Sequence, residues 1–190
     1  QLATRWIEVA LNNYLNELLK TENREYVIAS DTDSVYLCLE PLVDKMFPDE
    51  QDPNKIVDFL DKSVKKVFEP FIEAQYKELA EYTNAYQQKM VMAREVIADK
   101  GIWTAKKRYI LNVYDSEGVR YKKPKQKIMG IETARSSTPE ICRKRLKTAI
   151  KIILNKDQDF LIEYIEKFRQ KFKKSNPADV AFPRGLSDLN

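Results

Sequence analysis

The sequence predicts an α+β fold in which helices and short strands are grouped and do not alternate one by one. Apolar residues recur at three- and four-residue steps near the start of the chain and in several later segments, which is typical of amphipathic helices. Between these segments lie short runs of β-branched and aromatic residues bounded by turn residues, which indicate hairpin strands. Because 43% of the 190 residues are apolar, the chain is able to bury a sizeable core.

The first predicted elements are a helix and a hairpin. Residues 2–20 are predicted to form the helix, since their apolar positions follow a helical period. Two β-prone runs at 26–29 and 35–39 are predicted to pair, because the polar residues 30–34 between them favour a turn. The next stretch, 41–52, holds two prolines and is predicted to be a loop.

A second helix is predicted to begin at Asp52-Pro53, with Asp52 as the N-cap and Pro53 at the first helical position. It is predicted to run to about residue 84, with a kink or break at Pro70. Strands are then predicted at 89–97 and 101–114, followed by a turn at 115–118 and a basic extended segment at 119–131.

The last predicted elements are two helices. One opens at Thr138-Pro139-Glu140 with Ser137 or Thr138 as its N-cap, and the other spans 157–174, with irregular chain from residue 176 on. A change of character near Gly130 predicts a boundary between subdomains. Neither end of the sequence shows a natural start or stop, so both ends are predicted to be cut from a longer chain.

The residue types present exclude several kinds of site. The sequence contains no His, which excludes a His-based catalytic triad and a His-ligated zinc site. Cys38 and Cys142 lie far apart without metal-ligand spacing and are predicted to be buried, reduced thiols of an intracellular protein. No run of 18 apolar residues exists, so no membrane partner is expected.

Charge is segregated along the chain. Residues 1–99 carry 11 basic and 19 acidic side chains, whereas residues 100–155 carry 15 basic and 4 acidic ones. A basic block of this size favours a nucleic-acid surface, and the acidic block favours bound cations. The alternative is a set of solvated lysine-rich faces.

Asp31 and Asp33 are separated by one residue in the predicted hairpin turn. Two carboxylates this close repel each other by about 1 kcal/mol or more in water, and a divalent cation removes that conflict. Oxygen ligands with no His or Cys nearby indicate Mg²⁺ or Mn²⁺. The pattern alone is weak, because glycosyltransferases and nucleotidyl cyclases also use it and surface Asp pairs are common.

The residues around this pair carry a more specific resemblance. The run Y-V-I-A-S-D-T-D-S-V-Y at 26–36 resembles motif C of family B DNA polymerases, although Ser30 stands where that family usually has glycine. The run K-K-R-Y at 106–109 resembles a second element of the family, in which Lys107 and Tyr109 would share one face of a strand.

A longer series resembles the replicative DNA polymerases of T-even-type bacteriophages within that family. It comprises M-A-R-E-V-I-A at 92–98, W-T-A-K-K-R-Y at 103–109, K-I-M-G-I-E-T at 127–133 and S-S-T-P at 136–139. The resemblance implies a palm portion with antiparallel strands and flanking helices at 1–130, followed by the largely helical start of a thumb at 131–190.

The resemblance also implies the roles of individual residues. Asp33 would be a catalytic metal ligand and Asp31 a supporting one, with Mg²⁺ or Mn²⁺ in a two-metal site of the intact enzyme. Glu95 would lie near the metals, and the alternative for Glu95 is an ion pair with Arg94 or a lysine. The expected DNA-binding residues are Lys106, Lys107, Arg108, Tyr109, Lys122, Lys123, Lys125 and Lys127.

The function implied is extension of a primer 3′-hydroxyl with dNTPs on a DNA template, in the cytoplasm of a host cell. Primer–template DNA, dNTPs, the remainder of the polymerase chain and a sliding clamp are the implied partners. The chain alone is expected to be inactive, because the other metal-binding motif and the fingers of the family are missing from it. Two alternatives stay open: a non-catalytic nucleic-acid-binding module and an unrelated D-x-D transferase.

Overall fold

The structure is a computed structural model that describes residues 1–50 and 52–182. The chain forms two compact units, one of Gln1–Ile97 with Tyr114–Lys122 and one of Ala98–Val113 with the chain from Lys123 onward. The predicted α+β class is confirmed, since several helices accompany two small antiparallel sheets. The division into palm and thumb at residue 130 stays a prediction, and its last residues, 183–190, lie outside the described part of the chain.

The helices and strands have the following bounds. The helices are α1 (Leu2–Leu19), α2 (Glu40–Met46), α3 (Pro53–Ser63), α4 (Glu69–Tyr82), α5 (Glu140–Asn155), α6 (Gln158–Phe172) and α7 (Pro177–Val180). The strands are β1 (Val27–Asp31), β2 (Ser34–Leu37), β3 (Val96–Ala105), β4 (Arg108–Ser116) and β5 (Val119–Met129). Strand β1 pairs with β2, and the other three form a sheet in the order β3-β4-β5. Within the described residues, no helix is long and apolar enough to cross a bilayer.

The core of the first unit is built on α1. Ile7, Leu11 and Leu15 recur at four-residue steps and have no exposed surface, which confirms the predicted helical face. They pack with buried residues in or next to the hairpin, in α2, at the end of the π-helical turn before α4 and in α4 itself: Tyr26, Val27, Leu42, Phe68, Ile72, Tyr76 and Leu79. The hairpin therefore packs on the buried face of α1.

Pro70 is accommodated by a change of helix type. A π-helical turn at Val64–Phe68 joins α3 to α4, and Pro70 lies in the first turn of α4. Proline lacks an N–H and its ring clashes with the carbonyl four residues earlier, which here belongs to the π turn. The kink or break predicted at Pro70 is therefore a π-helical turn between α3 and α4. The predicted N-cap Asp52 is confirmed, because its carboxylate accepts the Asn54 N–H at 2.9 Å.

Two predictions in this unit are wrong. The stretch predicted as a loop contains α2, because Pro41 occupies the first helical turn, where no N–H is needed, and Leu42 is buried. The strand predicted at 89–97 begins only at Val96. The N–H of Arg94 donates to the Glu69 carboxylate of α4 at 2.9 Å. Residues 89–95 therefore contact α4 at this point and are not part of a strand.

The single strand predicted at 101–114 is wrong, because a turn divides this stretch between β3 and β4. The predicted strand was to begin at Gly101, but β3 runs through that residue and turns at Lys106-Lys107. A Cβ at position 101 would lie 2.6 Å from the Trp103 ring and 2.9 Å from Leu111. Glycine is therefore needed here for close packing and does not mark a boundary.

The second unit has a smaller core. Ile110 of β4 packs with Ile150 and Leu154 of α5, against Ile102, Ile128 and Ile131. Pro139 precedes α5 without a side-chain cap, so the predicted caps Ser137 and Thr138 are wrong. Asp157 caps α6 by accepting the Phe160 N–H at 3.1 Å. The short helix α7 replaces the irregular chain predicted after residue 176, because Asn176 accepts the Ala178 N–H and caps it. Cys38 and Cys142 are free and half-buried.

Candidate functional site

The tip of the first hairpin presents the two aspartates. Asp31 pairs with Ser34 across the strands, so the turn consists of Thr32 and Asp33 and is shorter than predicted. Asp31 is half-buried, and its Oδ1 accepts the Thr32 N–H at 3.0 Å and the Thr32 hydroxyl at 3.2 Å. Asp33 is exposed. The two carboxylates thus differ, since Asp31 takes part in the turn and Asp33 is open to a ligand.

The negative charge of Asp33 affects the pKa of the buried Tyr76 phenol. Burial raises the pKa of Tyr76 in α4, and the nearby Asp33 carboxylate raises it further, because the ionised phenol would be a second negative charge.

The donor set of the tip fits a hard divalent cation in chemistry, because both side chains offer carboxylate oxygens. No group of three or more His, Cys, Asp or Glu side chains forms within the described residues. Asp31, Asp33 and Glu95 therefore do not make a three-ligand group in this chain. Mg²⁺ commonly uses only one or two protein carboxylates, with water and phosphate oxygens completing its shell, so two carboxylates suffice for a partial site.

Two open clefts lie beside α4. One, of about 380 Å³, is lined by Tyr76 among others, and the second, of about 420 Å³, is lined by Glu95. They adjoin, since Lys65, Glu69 and Ala93 line both. The Glu95 carbonyl accepts the Glu117 N–H at 2.7 Å, which ties the segment before β3 to the turn after β4.

The predicted K-K-R-Y element lies at a turn. Lys106 and Lys107 form the turn between β3 and β4, and Lys107 has a left-handed backbone (φ 60°). The expectation that Lys107 and Tyr109 share one strand face is therefore wrong. Both lysines are exposed, Arg108 forms an ion pair with Glu132, and Tyr109 is buried with its ring 6.3 Å from that of Trp103.

Four further predicted DNA-binding residues lie on β5, which is an edge strand. Lys123, Lys125 and Lys127 point to one face because side chains alternate along a strand, and Lys122 points to the other. Pro124 is tolerated within the strand because an edge strand has N–H groups without partners in the sheet.

Gly130 supports the lysine turn. Its φ is +67°, and a Cβ there would collide with the Lys107 carbonyl and lie 3.1 Å from Arg108. We expect Gly130→Ala to lower the free energy of unfolding by about 2 kcal/mol, from left-handed strain together with the backbone clash. Urea unfolding would measure this. Gly118→Ala is the matched control, because Gly118 has φ +86° but open space around it, and should cost about 1 kcal/mol. Equal losses in the two variants would contradict the supporting role of Gly130.

Sequence reasoning missed two polar groups that hold these elements. One is an ion-pair network in which Arg94 binds Asp61 at 2.6 Å and also binds Asp115. The other is a row of polar side chains on α1 that contact the first hairpin. The signal for the second was present, since Thr4, Glu8, Asn12 and Asn16 recur at four-residue steps along α1.

Comparisons with known proteins identify relatives along the whole chain. No protein-family model matches it. The DNA-directed DNA polymerase of Escherichia phage RB69 is 44% identical over 95% of the chain, and that of Enterobacteria phage T4 is 36% identical over all of it. The chain spans 21% and 22% of the lengths of these two proteins. The chain is thus similar, from one end to the other, to about a fifth of the DNA-directed DNA polymerases of phages RB69 and T4.

Proposed function

We propose that this chain is a palm and thumb portion of a phage DNA-templated DNA polymerase of family B. The observation that carries the proposal is the carboxylate pair at the tip of a hairpin that packs on α1, in a chain that resembles two phage polymerases throughout. The reaction of the whole enzyme is attack of a primer 3′-hydroxyl on the α-phosphate of a dNTP, with release of pyrophosphate.

The aspartates have separate tasks in this proposal. Asp33 binds Mg²⁺ or Mn²⁺ directly, because its carboxylate is exposed, and Asp31 supports it from within the turn. A bound metal pair would lower the pKa of the primer hydroxyl and neutralise charge on the triphosphate. Glu95 remains a candidate for an acidic residue near the metals, and it lines the second of the two adjoining clefts.

The basic residues hold the DNA backbone in this proposal. Lys106 and Lys107 at the turn, with Arg108 and Tyr109 behind them, would position the primer strand. Lys122, Lys123, Lys125 and Lys127 on β5 would contact phosphates of the duplex. Phosphate contacts raise affinity for any sequence, which suits an enzyme that copies every template. A sliding clamp and the rest of the polymerase chain are proposed partners of the whole protein.

The runner-up is a non-catalytic nucleic-acid-binding module. Two observations favour it. The described residues contain no group of three possible metal ligands, and residues 100–155 form a basic block. Both proposals predict DNA binding that weakens as salt rises. They differ only in whether the aspartate tip supports chemistry.

A hybrid polymerase tests the choice. In this hybrid, the present chain replaces the matching segment of the RB69 phage enzyme. We expect the hybrid to extend a primer with dNTPs when Mg²⁺ is present, because the missing carboxylates come from the host enzyme. The 190-residue chain alone should bind primer–template DNA but incorporate no dNTP. A folded hybrid that binds DNA and extends no primer would favour the module, and incorporation by the chain alone would contradict the expected inactivity of the fragment.

A further inference from the structure

A ladder of polar contacts joins one face of α1 to the first hairpin. The Thr4 hydroxyl donates to the Thr32 carbonyl at 2.6 Å, and the Ser30 hydroxyl donates to Glu8 at 3.5 Å. Asn12 Oδ1 accepts the N–H groups of Tyr26 at 2.7 Å and Val27 at 2.9 Å. Asn16 binds the Arg24 backbone through both an acceptor contact at 3.0 Å and a donor contact at 2.8 Å.

The ladder is regular because two periods match. Four residues of helix rise about 6 Å, and two residues of strand span about 6.6 Å. As the helix number increases by four, the partner moves back from Thr32 to Ser30, then to the Tyr26–Val27 amides and then to Arg24. The longer step in the middle coincides with the register shift between Val27 and Ala29, where the strand gains a residue relative to β2.

The contact between Thr4 and Thr32 is the only one of the four that reaches the turn. The Thr32 carbonyl lies between Asp31 and Asp33 in sequence, so fixing this peptide group limits the directions in which both carboxylates can point. Thr4 is 8% exposed, and its hydroxyl therefore competes with little water for that carbonyl. Thr32 itself is exposed, so no packing of its side chain performs the same task.

We propose that Thr4 is a positioning residue for the metal-binding carboxylates, acting through the Thr32 carbonyl. This inference rests on the proposed function for its consequence in catalysis, but its geometric part stands on the chain alone. The alternative is that the hydrogen bond of the buried Thr4 hydroxyl stabilises the fold and has no effect on the carboxylates.

The first experiment measures the geometry without any activity. Backbone amide spectra and hydrogen exchange would be recorded for the 190-residue chain with Thr4→Val, which keeps the shape and removes the hydroxyl, and with Thr4→Ser, which restores it. We expect Thr4→Val to shift the amides of Asp31 to Ser34 and to speed their exchange by about fivefold, the equivalent of one lost hydrogen bond. Thr4→Ser should resemble the parent chain. Unchanged tip signals in Thr4→Val would overturn the proposal.

The second experiment measures metal use in the hybrid polymerase. We expect Thr4→Val to raise the half-saturating Mg²⁺ concentration for primer extension by about tenfold, the lower end of the range for groups that orient metal ligands. Thr4→Ser should return it to the parent value, and the KM for dNTP should change less than the Mg²⁺ requirement. Asn16→Ala is the control, because it breaks several contacts at the other end of the ladder and should lower stability without changing the Mg²⁺ requirement beyond about twofold.

The outcomes separate the two proposals. An inactive hybrid with the parent sequence would count against the proposed function, and the amide spectra would then decide the role of Thr4. An active hybrid whose Mg²⁺ requirement is the same with Thr4→Val and the parent sequence would overturn the positioning role. An equal rise with Asn16→Ala and Thr4→Val would also overturn it, because general destabilisation would then explain both.

Discussion

Replacing Asp33 by asparagine in the hybrid polymerase is expected to slow primer extension by about a thousandfold, equivalent to about 4 kcal/mol of lost transition-state stabilisation. Asparagine keeps the size and shape of the side chain and removes the charge that would hold the metal. Since Asp33 is exposed at the turn, the fold of the hairpin should not depend on it. Rates of single-nucleotide incorporation at saturating Mg²⁺ and dNTP would measure the loss.

Asp31→Asn is the matched control for this loss. The Asp31 carboxylate is engaged with the Thr32 N–H and hydroxyl, so its replacement should slow extension less than that of Asp33. Tyr76 offers a second check, because the pKa of its phenol should fall in Asp33→Asn while the larger effect of burial stays. A hybrid with Asp33→Asn that keeps more than about a tenth of the parent rate would contradict the role of Asp33 as a metal ligand.

The hairpin and its helix were predictable because each depends on local signals. The apolar period of α1 predicted that Leu11 is buried, and the two β-prone runs predicted paired strands on either side of the aspartates. The Asp52-Pro53 helix start was predictable for the same reason, since a cap and its N–H donor are two residues apart. The conformation of such features depends on residues that are close to each other in the sequence.

The errors arose where distant contacts decide the conformation. The Glu69 carboxylate accepts a hydrogen bond from the Arg94 N–H, 25 residues away in sequence. No local pattern indicated that the strand predicted from residue 89 begins only at Val96. Gly101 was interpreted as a boundary, but it makes room for the Trp103 ring and Leu111. Because a turn divides the predicted strand, Lys107 lies in that turn and shares no strand face with Tyr109.

Arg94 is the centre of the most buried ionic network in the described residues. Its side chain is 7% exposed and lies between Asp61 of α3 and Asp115 of β4, whose side chain is 4% exposed. Arg120 extends the network, contacting Asp115 at 3.3 Å and Asp58 at 2.8 Å. The network thus links α3 and the segment before β3 to the end of β4 and the start of β5, and its residues all belong to the first unit.

We expect Arg94→Met to lower the free energy of unfolding by about 3 kcal/mol at neutral pH. Methionine fills the space of the aliphatic stem but leaves the buried Asp115 with Arg120 and the Gly118 N–H as its remaining partners among the described residues. An uncompensated buried charge costs more than the ion pair itself contributes, so the loss should exceed that of a surface pair. Urea unfolding followed by circular dichroism would measure it, with Lys77→Met as the control, since Lys77 pairs with Glu73 on the exposed face of α4.

The loss should depend on pH in a defined direction. Burial alone would raise the pKa of the Asp115 carboxyl, but the Arg94 guanidinium, the Gly118 N–H and Arg120 together hold it below its usual value. A lowered carboxyl pKa contributes stability that is fully present above the unfolded value of about 3.9 and is lost as pH falls through the folded value. In Arg94→Met the main opposing charge is absent, so Asp115 should take up its proton at higher pH than in the parent chain. The difference in stability between the two chains should therefore be largest near neutral pH and shrink below about pH 4. A difference that stayed constant from pH 7 to pH 3 would show that packing of the Arg94 stem, and not its charge, stabilises this part of the fold.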